Sequence, residues 1–228
     1  MKKFGALKPV AAASLTLLGS LANADMMACR DTPSVTVSFQ EPEHAGLVCT
    51  AVKQAANLFE SCNVPPLSHP VHIELVEDIN AHCVGLYHCG EDLIELLSPP
   101  LMQIRRAPDG AFFHLDRDAY FQSVVVHELS HAAMDRVSCP FENCVVSTEY
   151  ISYAMQVMSL DPDAQALFEQ RSNLDRRVSV DEISAMILYM APHLFAQKAW
   201  AHLSQREDAC GYIAHIVDGS ILLDHEHF

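Results

Sequence analysis

The chain has 228 residues, half of them hydrophobic, with 14 basic against 29 acidic side chains and a formal net charge of −15. That acidity excludes binding to a nucleic-acid duplex, which requires a basic surface; taken alone it implies solubility rather than a substrate class. The length suffices for one domain with a sizeable core.

The first 24 residues read as a secretory signal. Lys2 and Lys3 precede an apolar run from Val10 to Leu21, and Ala22-Asn23-Ala24 supplies an A-x-A cleavage site before Asp25. The apolar run is too short for a stable membrane span, so the mature chain, 25–228, is expected to be periplasmic or secreted and free of the membrane. Losing Lys2, Lys3 and Lys8 takes its charge to −18. All eight cysteines (Cys29, Cys49, Cys62, Cys83, Cys89, Cys139, Cys144 and Cys210) lie beyond the cleavage site. An even count in an exported chain, with no C-x-x-C pair, points to disulfides rather than a zinc knuckle.

Residues 25–33 read as a short polar lead. Val35, Val37 and Phe39 alternate with polar neighbours and predict a half-buried strand. From Leu47 to Phe59 apolar residues recur at helical spacing, an amphipathic helix of about four turns. Val71, Ile73 and Leu75 predict a second strand; residues 85–87 and 93–97 predict two more, joined as a hairpin through Gly90. Pro99-Pro100 is expected to end the sheet region, with 101–115 a connecting loop that turns at 108–110. Asp116 or Asp118 can cap a helix running to about Arg136. Ser147 or Thr148 then opens another helix, ending at Asp161-Pro162. Ser179-x-x-Glu182 is a capping-box pattern before a helix over 183–203, kinked at Pro192. The expected fold is α+β: sheet-rich over 34–98, site-bearing helices over 116–160, and a helical tail over 163–228.

The helix after Asp116 contains Val124-Val125-Val126-His127-Glu128-Leu129-Ser130-His131-Ala132-Ala133. His127 and His131 are four apart, so both rings project from one face. They can hold two corners of a tetrahedral zinc site, while Glu128 can reach a water without being a ligand. The plainer reading is a core helix with two satisfied histidines. The flanking valines and alanines weigh against it, because buried ionisable groups are costly unless paired or bound to metal.

The H-E-x-x-H motif and the order strand, helix, three strands, motif helix, second helix resemble the zincin fold of metallopeptidases. The likeness covers roughly residues 34–160, and the whole chain is similar to small exported bacterial proteins carrying this motif. The resemblance implies a small twisted sheet over the zinc helix, its edge strand supplied by the 84–97 hairpin and pairing with an extended substrate. The metzincin continuation is excluded, since Ala132 to Val137 offers neither the glycine nor a third histidine. The gluzincin type takes a glutamate from the following helix, which selects Glu149, 18 residues after His131; Glu142 and Asp135 are the competitors. Many gluzincins also place an aspartate four residues beyond that glutamate, where this chain has Tyr153.

The implied cofactor is one Zn2+ held by His127, His131 and Glu149, with Glu128 as the catalytic base and a peptide or protein as substrate. Tyr150, Tyr153 and His193 are candidates for a further oxyanion donor. Two rival functions are a zincin-fold protein that holds zinc without turnover, and a periplasmic zinc scavenger using its 13 histidines. Scattered surface histidine is the default for His69, His72, His82 and His88, with a weak second metal site conceivable at Asp224-His225-Glu226-His227. Two disulfides are expected around turns, Cys139–Cys144 and Cys83–Cys89; Cys29, Cys49, Cys62 and Cys210 are left with three pairings.

Overall fold

The structure is a computed structural model that describes residues 24–79, 83–172 and 175–224. The expected signal segment, up to residue 23, lies outside the described residues, as do His82, His225, Glu226 and His227.

The fold is α+β, a mixed five-stranded sheet packed against helices with a helical C-terminal part. Strands β1 (Asp25–Cys29), β2 (Thr32–Phe39), β3 (Val71–Val76), β4 (Gly85–His88) and β5 (Leu93–Leu97) lie in the order β1-β2-β3-β5-β4. The pairs β2/β3 and β3/β5 are parallel, while β1/β2 and β4/β5 are antiparallel. Strand β1 replaces the expected polar lead. Its residues up to Ala28 are exposed, so no alternation announces it. The open edge of β2 organises it, and a Cys29–Cys49 disulfide ties its end to the next helix.

Helix α1 (Pro42–Ser61) buries Ala45, Val48, Ala51, Val52, Ala55 and Phe59, the stripe its periodicity predicts. The β4–β5 hairpin forms as expected, with Gly90 at φ 78° and Asp92 at φ 54° in its turn. Pro99-Pro100 does not open a loop. It starts helix α2 (Pro99–Arg105), because a proline in the first turn gives up only an N–H that has no intrahelical acceptor. A 3-10 turn (Ala111–His114) follows.

Helix α3 (Arg117–Met134) begins at Asp116, whose Oδ1 accepts from the N–H groups of Asp118 and Ala119. It packs against α1, α2, β4 and β5. Helix α4 (Val145–Met158) lies alongside it and starts two residues earlier than the sequence suggests. The tail comprises α5 (Pro162–Ser172), α6 (Ala185–Met190), α7 (Pro192–Ser204) and α8 (Ala209–Val217). The capping box at Ser179 and Glu182 exists, but it closes a 3-10 turn (Val180–Glu182). Pro192 separates α6 from α7 instead of kinking one long helix, since its ring disfavours helical geometry at Ala191. Among the described residues no helix is long and apolar enough to cross a membrane.

Three disulfides are present: Cys29–Cys49, Cys62–Cys210 and Cys139–Cys144. The expected Cys83–Cys89 bond is not; both thiols are free and exposed among the described residues. The reason is β4 itself. Four extended residues lie between the two cysteines, and at about 3.3 Å each they hold the Cα atoms beyond the ~7 Å reach of a disulfide.

Candidate metal centre

The motif helix is the most enclosed helix in the fold. Val124, Val125, Val126, Leu129, Ala132 and Ala133 fill the contacts with its neighbours, and His127 and Glu128 are buried with them. The two histidine rings meet on one face, with His127 Nε2 and His131 Nε2 3.1 Å apart.

Glu149 enters from α4. The loop before this helix is closed by Cys139–Cys144. The helix start is capped from the tail: Asp224 accepts from Val146 N–H at 2.8 Å, Ser147 N–H at 3.0 Å and the Ser147 hydroxyl at 2.6 Å. Ile151, Ala154, Met155 and Val157 are fully buried and seat the helix, which aims Glu149 back at α3. Its carboxylate oxygens stand 3.6 Å from His127 Nε2 and 3.7 Å from His131 Nε2. One ligand atom from each of the three residues lies within 4.8 Å of the others, and the group can hold a metal ion. The competitors are elsewhere. Glu142 is exposed, and Asp135 accepts from the N–H of Gly90 in the hairpin turn at 3.3 Å.

The separations fit a small tetrahedral cation, whose ligands at about 2.0–2.2 Å stand roughly 3.3–3.6 Å apart. The electrostatics point the same way. Burial, reinforced by the neighbouring His131, holds the His127 imidazole well below its ordinary pKa, and burial brings His131 to about 4. Burial lifts Glu149 to about 7. Two neutral imidazoles and a carboxylate deprived of solvent form a donor set that a cation would complete.

Glu128 stands apart from the triad. It is buried, and Oε2 accepts from the backbone N–H of Tyr87 in the edge strand β4 at 3.1 Å. Burial, with the charge of Glu149 behind it, raises its pKa to about 8. A Cβ on Gly85 would come within 2.7 Å of Glu128 Oε1 and 2.9 Å of Leu96 Cδ2, so this strand position must be glycine for the carboxylate to sit here.

Sequence reasoning missed Gly85 and Gln156. An isolated glycine inside a strand signals close approach, and that sign was available. Gln156 lies seven residues after Glu149, on the same helix face, and its side chain beside His127 raises the imidazole pKa against the burial. Its amide nitrogen is anchored to Ser123 Oγ at 3.3 Å. The Tyr153 ring packs edge-on against His127, centroids 4.5 Å apart. Tyr153, Gln156, His193 and His127 share a cavity of about 190 Å3. Tyr150 points away: it is fully buried and its hydroxyl meets His202 Nδ1 at 2.8 Å. The hairpin histidines disperse. His69 pairs with Asp92, His72 meets Thr36 and Ser38, and His88 pairs with Glu95. Asp224 is occupied as the α4 cap.

Residues 35–226 match the profile of a family of unknown function (DUF6639), and the chain belongs to that family. No curated protein and no solved structure matches it.

Proposed function

We propose that this member of the DUF6639 family is an exported, zinc-dependent peptide hydrolase of gluzincin type. His127, His131 and Glu149 would hold the ion and Glu128 would move the proton. One observation carries the reading: beside a His-His-Glu donor set lies a fourth ionisable group, Glu128, buried and tied to a different element. A purely structural zinc site needs no such group. When bound, zinc would supply Lewis acidity and bring water within range of deprotonation near neutral pH.

Glu128 takes a proton from the water that attacks the scissile carbonyl and delivers it to the leaving amine. Its hydrogen bond to Tyr87 N–H fixes the carboxylate for both transfers. The edge position of β4 supports an extended peptide as substrate, since an outer strand can pair with one more strand. Three disulfides support an oxidising compartment, periplasmic or extracellular.

The test is zinc content and hydrolysis of a peptide library by the purified protein and two variants. Glu128→Ala should keep stoichiometric zinc and lose hydrolysis by about 100-fold or more. Glu149→Gln should lose zinc under dialysis against a weak chelator, whereas Glu142→Gln should not. Cleavage by Glu128→Ala at a comparable rate removes the base. Zinc binding without hydrolysis in the unmodified protein leaves a non-catalytic zinc protein.

A further inference from the structure

The tail helices contain a cationic cavity that the metal centre does not use. It measures about 350 Å3 and lies between residues 177–180 and the end of α7. Arg177, Ser179, His202, Gln205 and Arg206 line it, and no acidic side chain does. In this acidic chain, Lys53, Arg105, Arg117, Arg136, Arg176 and Lys198 each have a carboxylate within 4.0 Å. Among the described residues Arg30, Arg106, Arg171, Arg177 and Arg206 have none, and of these Arg177 and Arg206 line this cavity together.

Arg206 is fixed in place by neutral groups. Its guanidinium carbon stands 3.6 Å over the Tyr212 ring, and its NH2 donates to His202 Nε2 at 2.6 Å. Its Nε–H is buried without a partner. Since arginine is always a donor, His202 Nε2 must be the acceptor, and Nδ1–H then faces the Tyr150 oxygen. The imidazole is therefore held neutral. Burial, followed by the charges of Arg206 and Arg177, lowers its pKa to about 4. A partly buried guanidinium with only neutral neighbours lacks the counter-charge that such groups normally have. Arg177 adds a second cation at the exposed rim.

We propose that this cavity is a binding site for a small oxyanion, a phosphate or polycarboxylate, received by Arg206 at its floor and Arg177 at its mouth. Planar guanidinium groups suit that chemistry because they donate paired N–H groups to tetrahedral or carboxylate oxygens. The cavity is larger than a bare phosphate requires, so the anion can carry an organic body. Neither the zinc nor the peptide reading is needed for this site.

The experiment is calorimetric titration and thermal denaturation of the full protein with inorganic phosphate and, separately, citrate, at fixed ionic strength set with chloride. One of the two anions should bind saturably and raise the Tm, and the stronger one identifies the class. Arg177→Gln, an exposed change that leaves the fold intact, should weaken binding about tenfold, and Arg206→Gln at least as much. Arg171→Gln, also exposed and without a carboxylate partner, should bind as the unmodified protein does. Absence of saturable binding by either anion overturns the proposal. So does equal binding by Arg177→Gln and the unmodified protein, which would put the anion elsewhere, including at the metal centre.

Discussion

Glu128 can face the candidate metal centre only because Gly85 has no side chain. Gly85→Ala puts a methyl group against the Glu128 carboxylate, 2.7 Å from Oε1, and the carboxylate must turn away from Tyr87 N–H. The expected outcome is full zinc content with hydrolysis lowered by about 10- to 100-fold, since small misplacements of a reacting group carry that cost. Equal turnover by Gly85→Ala and the unmodified protein would separate Glu128 from the reaction. At this scale His127, Glu128 and His131 were legible from spacing alone, because a helix converts a four-residue interval into proximity. Glu149 was legible only through the resemblance, since no local rule specifies which carboxylate returns across a loop. Gln156 depends on which face α4 turns to α3, a property of packing between two helices.

The element that decides the site is α4, and its geometry is set from both ends of the chain segment around it. The Cys139–Cys144 loop restricts where α4 begins, and Asp224, 78 residues beyond Val146, satisfies its first N–H groups. Asp224→Ala should therefore cost about 1–3 kcal/mol in urea denaturation, as for loss of a buried helix cap. It should also weaken zinc retention, because Glu149 sits on the second turn of that helix. Unchanged stability would show that water replaces the cap. The long periodic helices and the alternating strands were readable in the sequence. The errors fell where one residue type serves two purposes. Pro99 ends the sheet as expected but also starts a helix where a loop was read, and Pro192 starts a helix where a kink was read. Strand β1 has no pattern of its own and exists because a neighbour offers it an edge. The expected Cys83–Cys89 bond failed because closeness in sequence is cancelled by an extended strand.

Across the whole molecule, a bound metal would compete with protons for the same buried groups. Folding raises Glu149 to about 7 and Glu128 to about 8. A carboxylate raised in this way contributes stability that is fully present below its unfolded pKa and lost as pH climbs through the folded value. His131, lowered to about 4, runs oppositely: its contribution is complete above the ordinary histidine range and is lost as pH falls toward 4. Between pH ~6.5 and 8 only the carboxylate loss operates. The metal-free protein should then lose stability across that window, and the Tm increment produced by zinc should grow with pH. Calorimetry of the stripped and zinc-loaded protein at both ends of the window measures this; an increment that shrinks with pH contradicts the assigned burial.

The Cys62–Cys210 bond closes a covalent ring with a sequence separation of 148, and every residue of both the metal centre and the cationic cavity lies inside it. In an environment rich in proteases, one cut within that ring cannot release a fragment. Such a cut after the exposed Arg136, between α3 and α4, should leave both halves joined. The nicked protein would run as a single species without reductant and as two with it. The proposed hydrolytic activity should therefore end with reduction of Cys62–Cys210 and not with the first cleavage.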